Sequence, residues 1–89
     1  MIGERFMTTE QKQLLYKIAQ WHNKDFYNRM DDYWTEINYQ IEKECDRAIE
    51  GLEKEYKTKY GDLPEWNTID DVWAALKTLK EELGDNVVQ

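Results

Sequence analysis

Residues 63–85, LPEWNTIDDVWAALKTLKEELGD, decide the fold, because they contain the start signal, the apolar stripe and the stop signal of one helix. Thr68 stands three residues before Asp71, which is the spacing of a reciprocal N-terminal cap. Acidic residues in the first turn favour the positive end of the helix dipole, and Gly84 can end the helix. The stretch therefore predicts a helix over 68–83. Its expected apolar face consists of residues at steps of three and four: Ile69, Val72, Trp73, Leu76, Leu79 and Leu83.

Two earlier segments also carry apolar residues at helical spacing and predict helices over about 9–23 and 30–57. Thr8 and Gln11 fit a cap at the start of the first helix. The second helix should be the longest, roughly 40 Å at 1.5 Å per residue, and we expect it to be the spine against which both others pack. We favour a short break within residues 23–30; the alternative is one continuous helix. The expected buried stripe of the second helix consists of Met30, Trp34, Ile37, Ile41, Cys45, Ala48, Leu52 and Tyr56.

The predicted fold class is therefore all-α, a small three-helix bundle with a long central helix, as a single domain over residues 1–89. No strand-like alternation of apolar and polar residues is convincing. The side chains expected in the core include Trp34, Trp73, Leu76 and Leu79. The aromatic side chains expected at the surface are Tyr16, Tyr27, Tyr39 and Trp66.

The charge distribution constrains the class of partner. The chain has a net charge of -7, and residues 25–56 carry ten acidic against four basic side chains. A basic nucleic-acid footprint is therefore missing from most of the chain, and we expect no direct nucleic-acid binding. No apolar run approaches the length of a membrane helix, and the first residues lack a signal-peptide hydrophobic region, which predicts no membrane association and a cytoplasmic protein. The single cysteine, Cys45, agrees with that location.

Catalytic and cofactor motifs are missing from the sequence, so we expect a non-enzymatic protein without a metal or cofactor. One histidine and one cysteine are too few for a zinc or di-iron site. An alternative is a helical carboxylate site that binds magnesium and hydrolyses a nucleotide. All-α nucleotide pyrophosphatases use glutamate-rich helices in this way, although their paired glutamate motifs are not reproduced here. The site would consist of four acids on one helix face: Glu42, Asp46, Glu50 and Glu53.

Acidic residues recur along the predicted second helix, and aromatic residues lie among them. Duplex DNA presents about one phosphate charge per 1.7 Å of axis, so a helix with acids on successive turns can imitate part of that array. Tyr and Trp are common anchors in protein interfaces. We therefore predict that this segment binds a basic partner. The predicted partner-binding residues are Asp31, Asp32, Glu36, Tyr39, Glu42, Asp46, Glu50 and Glu53.

In size, acidity, helical content and Tyr/Trp richness the chain resembles small acidic inhibitors encoded by phages and mobile elements, of the anti-CRISPR and anti-restriction kind. Several such inhibitors act as nucleic-acid mimics. The resemblance implies an inhibitor that occupies the basic nucleic-acid-binding surface of a host protein, in the host cytoplasm if the chain is phage-encoded. A homodimeric helical scaffold protein, paired through the long amphipathic helix, is the second hypothesis.

Overall fold

The computed structural model describes residues 7–86, and the predicted domain of residues 1–89 extends beyond this range at both ends. Within this range the chain forms three helices, α1 (Thr9–Arg29), α2 (Glu36–Tyr60) and α3 (Ile69–Leu83), and a short 3-10 turn follows at Gly84–Asn86. The prediction of an all-α, three-helix bundle is confirmed. The bundle is elongated, with extents of 50 × 25 × 24 Å.

The predicted caps form at α1 and α3. The Thr8 hydroxyl accepts a hydrogen bond from the Gln11 backbone N–H at 3.0 Å. The Thr68 hydroxyl accepts from the Asp71 N–H at 3.3 Å, and the Asp71 carboxylate accepts from the Thr68 N–H at 3.3 Å. Gly84 follows α3 with φ +55°, in the left-handed region that other residues rarely adopt. These local signals were sufficient to place both helix starts from the sequence.

The boundary between α1 and α2 differs from the prediction. α1 continues to Arg29 through the region where a break was favoured, and α2 begins only at Glu36. Neither the early break nor one continuous helix is correct, because the interruption lies at residues 30–35. The physical reason is the N-terminal cap of α2: the Thr35 N–H donates to the Asn38 side-chain oxygen at 3.0 Å, which ties the chain before the helix to its first turn.

α1 is the central helix of the bundle, because it contacts both of the other helices. Its backbone runs close to both α2 and α3, whereas α2 and α3 barely approach each other. The prediction that α2 is the longest helix is confirmed, at 25 residues against 21 for α1 and 15 for α3. The expectation that α2 is the spine for both other helices is wrong. Among residues 7–86, one flank of α2 is therefore left free of contacts with the other helices.

The core contains aliphatic and tyrosine side chains from all three helices: Leu14, Leu15, Tyr16, Ile18, Tyr56, Leu79 and Leu83. The first four, the largest share, come from α1. Tyr16 was expected at the surface, but it is only 8% exposed. Because α1 packs on two helices, side chains over more than one of its faces are covered. Trp66 is half-buried, with its ring 5.7 Å from that of His22, whereas Tyr27 and Tyr39 are exposed as predicted.

Two tryptophans expected in the core are at the surface: Trp34 is 47% exposed and Trp73 is 43% exposed. Trp34 precedes α2 and so does not share its buried face. The Trp73 indole N–H donates to the Asn23 side-chain oxygen at 2.7 Å, and its ring lies 6.0 Å from that of Tyr27, at the edge of the contact between α1 and α3. Leu79 is buried as predicted, and Leu76 is half-buried.

The buried face of α2 is also rotated from the predicted stripe. Cys45 and Tyr56 are buried as predicted, but Asn38 and Ile49 complete the buried face. Ile37 is one position from Asn38 and so points about 100° away from it around the helix, which leaves it 68% exposed. The consequence is an apolar side chain in water beside the connection between α1 and α2.

Candidate interaction surface

The connection between α1 and α2, residues 30–35, and the first two residues of α2 are all exposed, and we call residues 30–37 the connection surface. Loops usually consist of small and polar residues, but half of this segment is large and apolar. Tyr33 is 83% exposed and Met30 is 54% exposed, beside the exposed Trp34 and Ile37. Exposed apolar side chains grouped in this way are typical of interaction sites.

A buried polar contact closes the base of the connection surface. The Asn28 side-chain amide donates to the Asn38 backbone carbonyl at 2.8 Å, and the Asn38 amide donates to the Asn28 side-chain oxygen at 2.9 Å. Both asparagines are buried. Because a buried amide must be hydrogen-bonded to be stable, the pair specifies one arrangement of the two helix ends. The exposed segment is therefore anchored at both ends.

Asp31 extends this network into the connection. Its carboxylate accepts from the Tyr33 backbone N–H at 3.1 Å and from the Asn38 side-chain amide at 3.1 Å. These two hydrogen bonds, the backbone one first, hold the pKa of Asp31 below its ordinary value. Asp31 thus stays ionised and fixes the backbone that carries Tyr33.

Net negative charge is concentrated in the connection surface and the first part of α2, and it does not extend to the second half of α2. Residues 31–46 contain six carboxylates and one lysine, a net charge of -5. Residues 47–60 contain three carboxylates and four basic side chains, a net charge of +1. The acidic residues that the sequence places along α2 are therefore densest toward the end of the molecule at which the exposed apolar side chains lie.

Two of the predicted partner-binding carboxylates contact cationic or imidazole groups of α1. Glu42 lies 3.6 Å from the Arg29 guanidinium, and Glu53 lies 3.2 Å from the His22 Nε2. The Lys43 ammonium lies over the Tyr39 ring, 4.7 Å from the ring centroid. Three of the predicted partner-binding residues therefore already contact other side chains of this chain. Their role in binding a partner stays a prediction.

The other predicted acids are exposed and make no ion pair among residues 7–86. Asp32 and Glu36 belong to the connection surface, whereas Asp46 and Glu50 lie further along α2. The structure therefore divides the predicted acids into three groups: acids within the connection surface, exposed acids further along α2, and acids that contact α1.

The carboxylates of the hydrolase alternative do not form a shared ligand set. Glu42 and Glu53 turn toward α1, and Asp46 and Glu50 are exposed. Within the described range, no group of three or more His, Cys, Asp or Glu side chains is placed to hold a metal ion. Cys45 is fully buried, and burial, followed by the charge of Asp25, raises the pKa of its thiol.

Sequence reasoning missed the exposure of Met30, Trp34 and Ile37, because their spacing also fits a buried helical stripe. A signal for the correct boundary was present. Thr35 stands three residues before Asn38, which is cap spacing, and it places the preceding residues outside the helix.

Among residues 7–86, no helix has both the length and the apolar character to cross a bilayer. No protein-family model matches the chain, and comparison with curated proteins and with solved structures finds no match.

Proposed function

We propose that this protein is a non-enzymatic binding module that recognises a basic partner protein through the connection surface and the carboxylates beside it. The observation that carries the proposal is the grouping of four exposed, large apolar side chains with three carboxylates in residues 30–37. Covering the apolar groups with a partner is favourable by roughly 25 cal/mol per Å² removed from water. The carboxylates attract a basic surface and repel an acidic one.

The specific form of the proposal is an inhibitor that occupies the nucleic-acid-binding surface of a host protein. Such a surface is basic because it neutralises phosphates. Asp32, Glu36 and Asp46 are exposed carboxylates without an ion pair in the described range. They are therefore available to pair with the basic side chains that otherwise neutralise phosphates. The concentration of charge at one end of the molecule favours end-on contact over contact along the whole of α2.

A homodimer is the second candidate, and the exposed apolar side chains of the connection surface favour it. Two copies meeting at this surface would also bring Asp31, Asp32 and Glu36 against their counterparts. Like charges brought together and partly desolvated oppose association. A basic partner buries the same apolar groups without that repulsion, and for this reason we place it first.

A capture experiment from host lysate at low and high salt tests the proposal. We expect a basic, nucleic-acid-binding protein to be captured at low salt, released at high salt and displaced by added duplex DNA or RNA. The triple variant Asp32→Asn, Glu36→Gln, Asp46→Asn should lose the capture. The matched control removes the same charges elsewhere: Asp62→Asn, Glu81→Gln and Asp85→Asn, all at exposed positions.

Equal capture by both triple variants would contradict the proposal, as would recovery of no basic protein at low salt. Sedimentation of the pure protein addresses the second candidate. A stable dimer that is lost in the variant Ile37→Asp would favour the scaffold function instead.

A further inference from the structure

Resting on the basic partner proposed above, we infer that the connection surface binds arginine side chains of that partner. Their guanidinium groups lie against the rings of Tyr33 and Trp34 and are neutralised by Asp32 and Glu36. The recognised element is therefore an exposed, arginine-rich segment of the partner protein.

The first support is the state of the aromatic rings. Elsewhere in the molecule, lysines of the chain lie over exposed or half-exposed rings: the Lys24 ammonium is 5.1 Å from the Trp21 ring centroid, and Lys43 covers Tyr39 in the same way. Within residues 7–86, no cation of the chain lies over Tyr33 or Trp34. Both rings are open to solvent, so a cation from another molecule can reach a ring face.

The second support is the position of the carboxylates. Asp32 directly precedes Tyr33, and Glu36 follows Trp34 by two positions, so both acids lie within a few residues of the rings. Each is exposed and makes no ion pair in the described part of the chain. A guanidinium can stack its flat face on a ring while its edge donates hydrogen bonds to a carboxylate.

The chemistry favours arginine over lysine. The ammonium of lysine is compact and strongly hydrated, whereas the guanidinium of arginine is planar and more weakly hydrated. Rings together with carboxylates suit a group that stacks and donates at the same time. A second copy of this chain fits less well, because it would bring the carboxylates of its own connection surface with it.

The third support is pre-organisation. The Asn28–Asn38 pair closes the base of the segment, and Asp31 holds the backbone at Tyr33. A segment that is already ordered loses less conformational entropy when it binds a ligand. Both rings are thus presented on an anchored turn.

Calorimetric titration with three short peptides of equal length tests the inference: alternating Arg–Gly, Lys–Gly and Glu–Gly sequences. We expect the Arg–Gly peptide to bind the full chain more tightly than the Lys–Gly peptide, and the Glu–Gly peptide not to bind. The variants Trp34→Leu and Tyr33→Leu should each weaken binding of the Arg–Gly peptide by about two- to fivefold. The matched control is Trp73→Leu, which removes a similarly exposed tryptophan outside the surface and should leave the affinity unchanged.

Two outcomes overturn the inference without deciding the proposed function. If Asp32→Asn with Glu36→Gln abolishes binding of the Arg–Gly peptide while Trp34→Leu and Tyr33→Leu do not weaken it, the ring contact is wrong and the basic partner stands. If neither cationic peptide binds the parent protein, the arginine site is wrong, and the lysate capture decides separately on the basic partner. Thermal melts of each variant, followed by circular dichroism, verify that the bundle is intact.

Discussion

Asn28 and Asn38 are ten positions apart in the sequence and exchange two hydrogen bonds in the interior, at 2.8 and 2.9 Å. The Asn38 side-chain oxygen also accepts from the Thr35 N–H and hydroxyl, both at 3.0 Å. One buried amide therefore joins the end of α1 to the cap of α2. This contact gives the exposed connection surface a defined shape.

Replacing Asn38 should destabilise the fold through unsatisfied polar groups. Asn38→Ala leaves the buried Asn28 oxygen and the Thr35 N–H without their partner, and a loss of about 1–3 kcal/mol in the free energy of unfolding is expected. Urea unfolding measures it. A cycle with Asn28→Ala should show coupling, because the two residues share hydrogen bonds. Strictly additive effects would argue that the pair does not form in solution.

Asp31 should make stability depend on pH in the acid range. Its pKa is lowered in the folded state, so its contribution is fully present above its unfolded pKa of about 3.9 and is lost as the pH falls through the folded pKa. The stability difference between the parent and Asp31→Asn should thus be constant near neutrality and shrink below about pH 4. Melting curves across this range measure the difference. A gap that persists unchanged to low pH would exclude this role.

Trp73 and Leu79, both on α3, should respond differently to truncation. Leu79 is in the core, so Leu79→Ala is expected to cost about 2–5 kcal/mol. Trp73→Ala removes a partly exposed ring and one hydrogen bond to Asn23, and we expect about 1–2 kcal/mol. Chemical denaturation of both variants provides the comparison. A larger loss for Trp73→Ala would place that ring in the core after all.

Cys45 should be unreactive until the bundle opens. Its side chain is fully buried, and burial raises the pKa of the thiol, so little thiolate is present and reagents cannot reach it. Labelling with a thiol-specific chromogenic disulfide should be slow in buffer and complete at once in denaturant. Rapid labelling of the folded protein would show that the contact between α1 and α2 opens readily near this residue.

The sequence was sufficient for features that depend on local chemistry. Thr68 and Asp71 predicted the start of α3, Gly84 its end, and Thr8 the start of α1, because caps are formed by residues three positions apart. The burial of Leu79 also followed from helical spacing. These signals need no knowledge of which helix packs on which.

The features that the sequence could not predict depend on tertiary packing. Met30, Trp34 and Ile37 fit a buried stripe, yet all three are exposed. Met30 and Trp34 lie before α2, and Ile37 is exposed because the buried face of α2 is set by its contact with α1. Tyr16 is buried because α1 packs on two helices, which no single-helix pattern reveals. The pairing of Asn28 with Asn38 joins two separate helices and leaves no periodic signal. The cap spacing of Thr35 and Asn38 marks the start of α2 in the sequence, but the exposure of the connection surface was visible only in the structure.

The central claim is that residues 30–37 are where a basic partner binds. Backbone amide NMR of the full chain, titrated at low salt with the alternating Arg–Gly peptide, tests it most directly. We expect the largest chemical-shift changes at residues 30–37, with smaller changes toward residue 46 and none on the outer side of α3. No changes at all would overturn the arginine site alone, whereas changes confined to α3 or to residues 47–60 would contradict the central claim.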